Sequence, residues 1–154
     1  MNTLLPKVDK PYTGYAVAYY FLILVTLVDT VRSLIHMLAG DGGAGSIAGI
    51  DVGVAGGSNI VAMFGQWGGS QLLMAIFDWV VILRYRFLTT LALGLLTLEQ
   101  CFRYLEGHLK PITSTHTPPG AIGTKLLFPI LLINFILSVL TPKLARRKKP
   151  TPGA

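Results

Sequence analysis

The chain has 154 residues, of which 52% are hydrophobic and 13% charged, with a mean hydropathy of +0.60. Soluble domains carry roughly 25% charged residues, so the composition describes a single-domain membrane protein and excludes a soluble globular one. The formal net charge of +6 does not mark a nucleic-acid binder, because four of the thirteen bases are Arg146, Arg147, Lys148 and Lys149, after the last apolar run. There they read as a topology anchor or a contact with anionic lipid.

Residues 1–11 are short and polar. A first apolar run spans about residues 12–39, and Tyr12, Tyr15, Tyr19 and Tyr20 stand where an interfacial aromatic belt belongs. The run is too long for a signal-peptide core and lacks a small residue at the −3 position of any cleavage site after Ala39, so a retained helix is expected. Residues 40–58 hold eight glycines in nineteen positions, a density that disfavours helix and strand and predicts a loop. Ser58 or Asn59 is the expected cap of a second helix, residues 59–83. Within it Gly65 and Gly69 form a G-x-x-x-G pair, which permits close helix approach, either as packing within the chain or as a face for a homodimer or another membrane protein.

Arg84, Tyr85 and Arg86 make a minimal connection to a third helix, residues 87–107. A loop rich in Pro, Thr and His follows, then a fourth helix, residues 121–141, with Pro129 inside it and Pro142 at its end. Residues 142–154 form a basic tail. The predicted fold is therefore all-α, a four-transmembrane-helix bundle in one membrane domain, residues 1–141. Bases gather at the N-terminus, the Arg84/Arg86 turn and the tail, while the Gly-rich loop has none, so the positive-inside rule places both termini and the tail in the cytoplasm and the two long loops outside.

Depth follows from orientation. At 1.5 Å per residue, Asp29 lies about 25 Å up helix 1 from Tyr12, with Arg32 and His36 about 5 and 10 Å higher; Glu99 lies about 18 Å above Phe87 and Arg103 about 6 Å beyond it. Gln66 is about 10 Å down from Asn59, and Lys125 enters one turn into helix 4. Asp29, Arg32, His36, Gln66, Glu99, Arg103 and Lys125 thus fall in one outward-side layer. An ionised group at mid-bilayer costs on the order of 3 kcal/mol, so the charges are expected to face inward and pair, Asp29 with Arg103 and Arg32 with Glu99.

A quartet of that kind can simply hold the bundle in register. His36, Lys125, Gln66 and Gln100 exceed what the quartet requires, and an outward pocket for a polar or amphiphilic ligand explains the surplus. Arg32, Arg103 and Lys125 suit a carboxylate or phosphate group, with Asp41, Ser46 and Asp51 in a loop that acts as lid. Asp78 is expected to meet Arg84 or Arg86, and Asn134 to bridge helices.

Other constellations are weak. Residues 42–46, Gly-Gly-Ala-Gly-Ser, lack the lysine and strand context of a phosphate loop. No two histidines have helical ligand spacing, and Cys101 alone permits neither a disulfide nor a cysteine zinc site, so no metal or cofactor is expected. The function classes left are a lipid-like ligand or partner-subunit binder, an enzyme acting on a lipid or isoprenoid through His36 or Glu99, and a structural subunit of a membrane complex.

In span number, length, long first outer loop and compact hairpin of helices 2 and 3, the chain resembles the small four-helix bacterial membrane proteins of DoxX-like layout. The resemblance implies a bacterial inner membrane and carries over no catalytic residue. Asp-Gly-Gly-Ala-Gly-Ser-Ile-Ala-Gly at 41–49 matches no activity signature.

Overall fold

A computed structural model describes residues 4–142. They form four helices, α1 (Ala16–Leu38), α2 (Gly57–Leu83), α3 (Thr89–Leu109) and α4 (Pro119–Val139), with one 3₁₀ turn, Arg86–Leu88, between α2 and α3. α1, α2 and α4 are each long and apolar enough to cross a membrane. α3 is less apolar because its second half carries Glu99, Arg103 and Glu106. The basic tail lies outside the described residues from 143 on.

The helix ends shift from the expected positions for local reasons. α1 starts at Ala16, because the Tyr15 N–H donates to the Leu137 carbonyl of α4 at 3.2 Å and holds the backbone extended there. α2 starts without a Ser58 or Asn59 cap. Gly56 takes a left-handed turn at φ 84°, and a Cβ on Gly57 would collide with the Val52 carbonyl, so two glycines set this boundary. α4 starts at Pro119, whose fixed φ suits a first helical position, and continues through Pro129.

α1 packs along α2, and α3 packs along α4, while α2 and α3, although consecutive, scarcely touch. Gly68 explains the closeness of the first pair: a Cβ there would lie 2.7 Å from His36 Cβ and 3.0 Å from the Met37 nitrogen and Ser33 carbonyl. Gly65 and Gly69 flank it, facing the same stretch of α1 at ordinary distances, 3.8 Å to the His36 carbonyl and 4.0 Å to Met37 Sδ. The small-residue face is thus occupied within the chain.

The apolar core, Ala18, Leu22, Val25, Val81, Ile82, Ala92, Leu93, Leu96 and Leu131, gathers in the half nearest the α2–α3 turn. At that end Arg84 Nε donates to the Leu5 carbonyl at 3.0 Å and the Tyr85 hydroxyl to the Pro6 carbonyl at 2.8 Å, tying down the N-terminal segment. At the other end the two long loops meet, with the Thr115 N–H donating to Gly49 at 2.8 Å and His116 Nε2 to the Ile47 carbonyl at 3.1 Å. The outward faces are apolar on every helix, including Leu24 and Val28 on α1, Leu73 and Ile76 on α2, Leu91 and Leu98 on α3, and Ile133 and Ile136 on α4. Asn134 bonds back to the Ile130 carbonyl of its own helix at 2.9 Å and does not bridge two helices.

Candidate ligand-binding cleft

The loose seam between α2 and α3 positions the site. Trp67, Gln71, Met74 and Asp78 are spaced i, i+4, i+7, i+11, so they share one face of α2. With Ser70 and Ala75 beside them, Asp29 and Arg32 from α1, and Leu95, Leu96 and Glu99 from α3, they line a cleft of about 220 Å³. A second, shallow and apolar groove lined by Leu73, Met74, Ile76, Phe77 and Leu95 adjoins the cleft, with Met74 and Leu95 lining both. The cleft carries charged side chains, and the groove beside it is hydrocarbon.

The ion pairs form within each helix, not across the bundle as expected. Arg32 Nη2 lies 2.9 Å from Asp29 Oδ1, and Arg103 Nη2 lies 2.6 Å from Glu99 Oε1. Spacings of i, i+3 and i, i+4 let each pair close on its own helix surface. The Trp67 indole couples the two arginines, with the Arg32 guanidinium 5.5 Å and the Arg103 guanidinium 4.8 Å from the ring centre. Each such contact is worth about 0.5–2 kcal/mol, more as water is excluded.

Glu99 is the polar hub on α3. Its Oε1 accepts from Arg103 Nε at 2.7 Å and from Gln71 Nε2 at 3.1 Å, and its Oε2 accepts from Gln100 Nε2 at 3.0 Å. Gln71 keeps a buried Oε1 with no donor among the described residues.

His36 is buried above the cleft, where it does not line it. Its Nδ1–H donates to the Gly42 carbonyl at 2.7 Å, and its ring packs on Trp67 and Phe64 at centroid distances of 4.8 and 5.7 Å. Gln66 points away, exposed on α2, and Lys125 is exposed on α4; neither lines the cleft. Of the seven side chains expected in one layer, the cleft therefore holds Asp29, Arg32 and Glu99, with Arg103 behind Glu99 and His36 behind Trp67.

The Gly-rich loop is a folded cap held from within. Asp41 Oδ1 accepts the Gly43 N–H at 2.8 Å and its Oδ2 the Ser46 N–H at 2.6 Å, which pulls the carboxyl from its ordinary value of 3.8 to about 2. Asp51 Oδ1 accepts the Gly53 N–H at 2.8 Å. Gly42 and Gly43 take φ values of 60° and 73° that admit the backbone against Phe64 and His36. Asp41, Ser46 and Asp51 thus shape the loop, and none lines the cleft.

Asp78 differs most from expectation. Arg84 is engaged with Leu5 and Arg86 lies over the Tyr19 ring at 5.0 Å, while Asp78, only 3% exposed, turns into the cleft. Gln71 and Asp78 were legible only through their shared face with Trp67; Gln66, one residue from Trp67 but about 100° around the helix, was a misleading neighbour. No group of three or more His, Cys, Asp or Glu side chains among the described residues could hold a metal ion.

Comparison with protein-family models, curated proteins and solved structures finds no match to this chain.

Proposed function

We propose that the chain is a four-span membrane protein that binds an amphiphile, with the head group in the cleft and the hydrocarbon tail in the adjoining groove. The observation that carries this reading is that a cleft with charged side chains and an apolar groove lie side by side and share Met74 and Leu95 as lining. A ligand of mixed character matches that lining, whereas a wholly polar solute would leave the groove in contact with lipid alone.

α3 serves as the fourth span in this proposal. Its 21 residues reach about 31 Å, against a hydrocarbon core of about 30 Å, and Leu91, Leu98, Phe102 and Leu105 give it an outward apolar face. The basic residues near the α2–α3 turn and the N-terminal segment favour the cytoplasmic side for that end. A bacterial inner membrane accords with the DoxX-like layout.

Binding is favoured over catalysis on lipid or isoprenoid, because His36 is committed to Gly42 and both Glu99 oxygens accept hydrogen bonds. Native mass spectrometry of protein extracted in mild detergent tests the reading. One retained amphiphile is expected, and Leu95→Trp, which narrows the passage between cleft and groove, should remove it. A stoichiometric protein partner with no amphiphile would support the structural-subunit reading instead.

A further inference from the structure

We propose that the head group bound in the cleft is an ammonium bearing N–H donors, and that Asp78 is its counter-ion. The inference rests on the amphiphile reading above and names the chemistry of its ligand. It follows from which groups around the cleft still lack partners. Arg32 faces Asp29, and Arg103, whose buried Nη2 makes no hydrogen bond but lies 2.6 Å from Glu99 Oε1, faces Glu99; Lys125 stands outside the lining, so every cation at the cleft already has a carboxylate beside it. Two acceptors remain, both on the cleft face of α2. Asp78 is 3% exposed and makes no hydrogen bond or ion pair among the described residues, and the Gln71 Oε1 is buried without a donor.

Counted as ionised, Asp29, Glu99 and Asp78 face Arg32 and Arg103, which leaves one carboxylate without a counter-charge. A buried carboxylate of this kind is stabilised by a partner that brings both positive charge and N–H donors. An alkylammonium supplies both, and its chain continues past Met74 and Leu95 into the groove. A metal ion would need converging ligands, which the described residues lack.

The test uses three probes of one chain length, 11-bromoundecylamine, 11-bromoundecanoic acid and 11-bromoundecanol, added to the protein in lipid nanodiscs. Leu73→Trp in a Trp67→Phe/Trp79→Phe background puts the single tryptophan in the groove, where the terminal bromine quenches it on contact. The expected result is saturable quenching by the amine at a concentration on the order of tenfold below that of the alcohol and the acid. Asp78→Asn should reduce the amine to the level of the alcohol, and Asp78→Glu should restore part of the preference. An acid that binds as well as the amine, or an amine preference that survives in Asp78→Asn, overturns the assignment while the amphiphile reading stands. Absence of saturable quenching by all three probes overturns both.

Discussion

Gln71 on α2 donates a hydrogen bond to Glu99 on α3 at 3.1 Å, the one hydrogen bond that joins these two helices among the described residues. It closes the charged end of a seam that is otherwise open, and it makes Glu99 the acceptor for three side chains, Arg103, Gln71 and Gln100.

Glu99→Gln should therefore cost more stability than Asp29→Asn. Each hydrogen bond to a charged group contributes about 1.5–3 kcal/mol when little water competes. Glu99 is part-exposed and Asp29 serves Arg32 alone, so losses of about 2–3 and about 1 kcal/mol are expected. Thermal unfolding in detergent gives the order, and equal losses would contradict it.

The pairing itself is open to double-mutant cycles. Coupling between Asp29 and Arg32 should exceed coupling between Asp29 and Arg103. The reverse result would restore the cross-bundle pairing expected from depth alone.

Trp67 carries two guanidinium contacts and one imidazole contact. Trp67→Leu should destabilise by about 2 kcal/mol through loss of the ring face, and Trp67→Phe by less because a smaller quadrupole remains. Similar losses for both would assign the role of Trp67 to volume rather than to its ring.

Acid and base spacing on α1 and α3 can be read from the sequence without knowing how helices turn toward one another, and Asp29, Arg32 and Glu99 do line one cleft. Spacing could not choose between intrahelical and cross-helix pairs, since that depends on which helices touch. The same limit explains Asp78. Judged by nearness in sequence it belonged with Arg84 and Arg86, yet its position seven residues from Gln71 and eleven from Trp67 puts it on their face. The loop was legible as a loop, but its internal order rests on Asp41 and on glycines at positive φ, and composition alone does not distinguish a folded cap from a free lid.

Gly68→Ala should destabilise by about 1–3 kcal/mol, because the new methyl meets α1 backbone that cannot yield. Gly65→Ala and Gly69→Ala have room and gain about 1 kcal/mol of helix propensity. Denaturation of the three variants in one detergent checks the contrast. Equal effects would move the close approach of α1 and α2 away from Gly68.

Asp41 makes the Gly-rich loop sensitive to acid. Its carboxyl titrates at about 2 in the folded chain, below the ordinary 3.8, so its stabilisation of the loop is fully present above about pH 4 and fades as pH falls toward 2. Nuclear magnetic resonance of the Gly43 and Ser46 amides should follow that transition. Asp41→Asn should abolish its pH dependence, and a midpoint near 3.8 would show that the two amide bonds do not hold the carboxylate.

The methionines allow the central claim, that an amphiphile occupies the cleft and groove, to be tested directly. Met74 lines both, whereas Met63 is 69% exposed on the outside of α2 and lines neither. With methyl-labelled methionine in lipid nanodiscs, titration with 11-bromoundecylamine should shift the Met74 methyl resonance to a plateau at one equivalent bound, while Met63 drifts without saturating. If Met74 and Met63 respond alike, the amphiphile is only dissolved in the surrounding lipid, and the cleft is not a binding site for it.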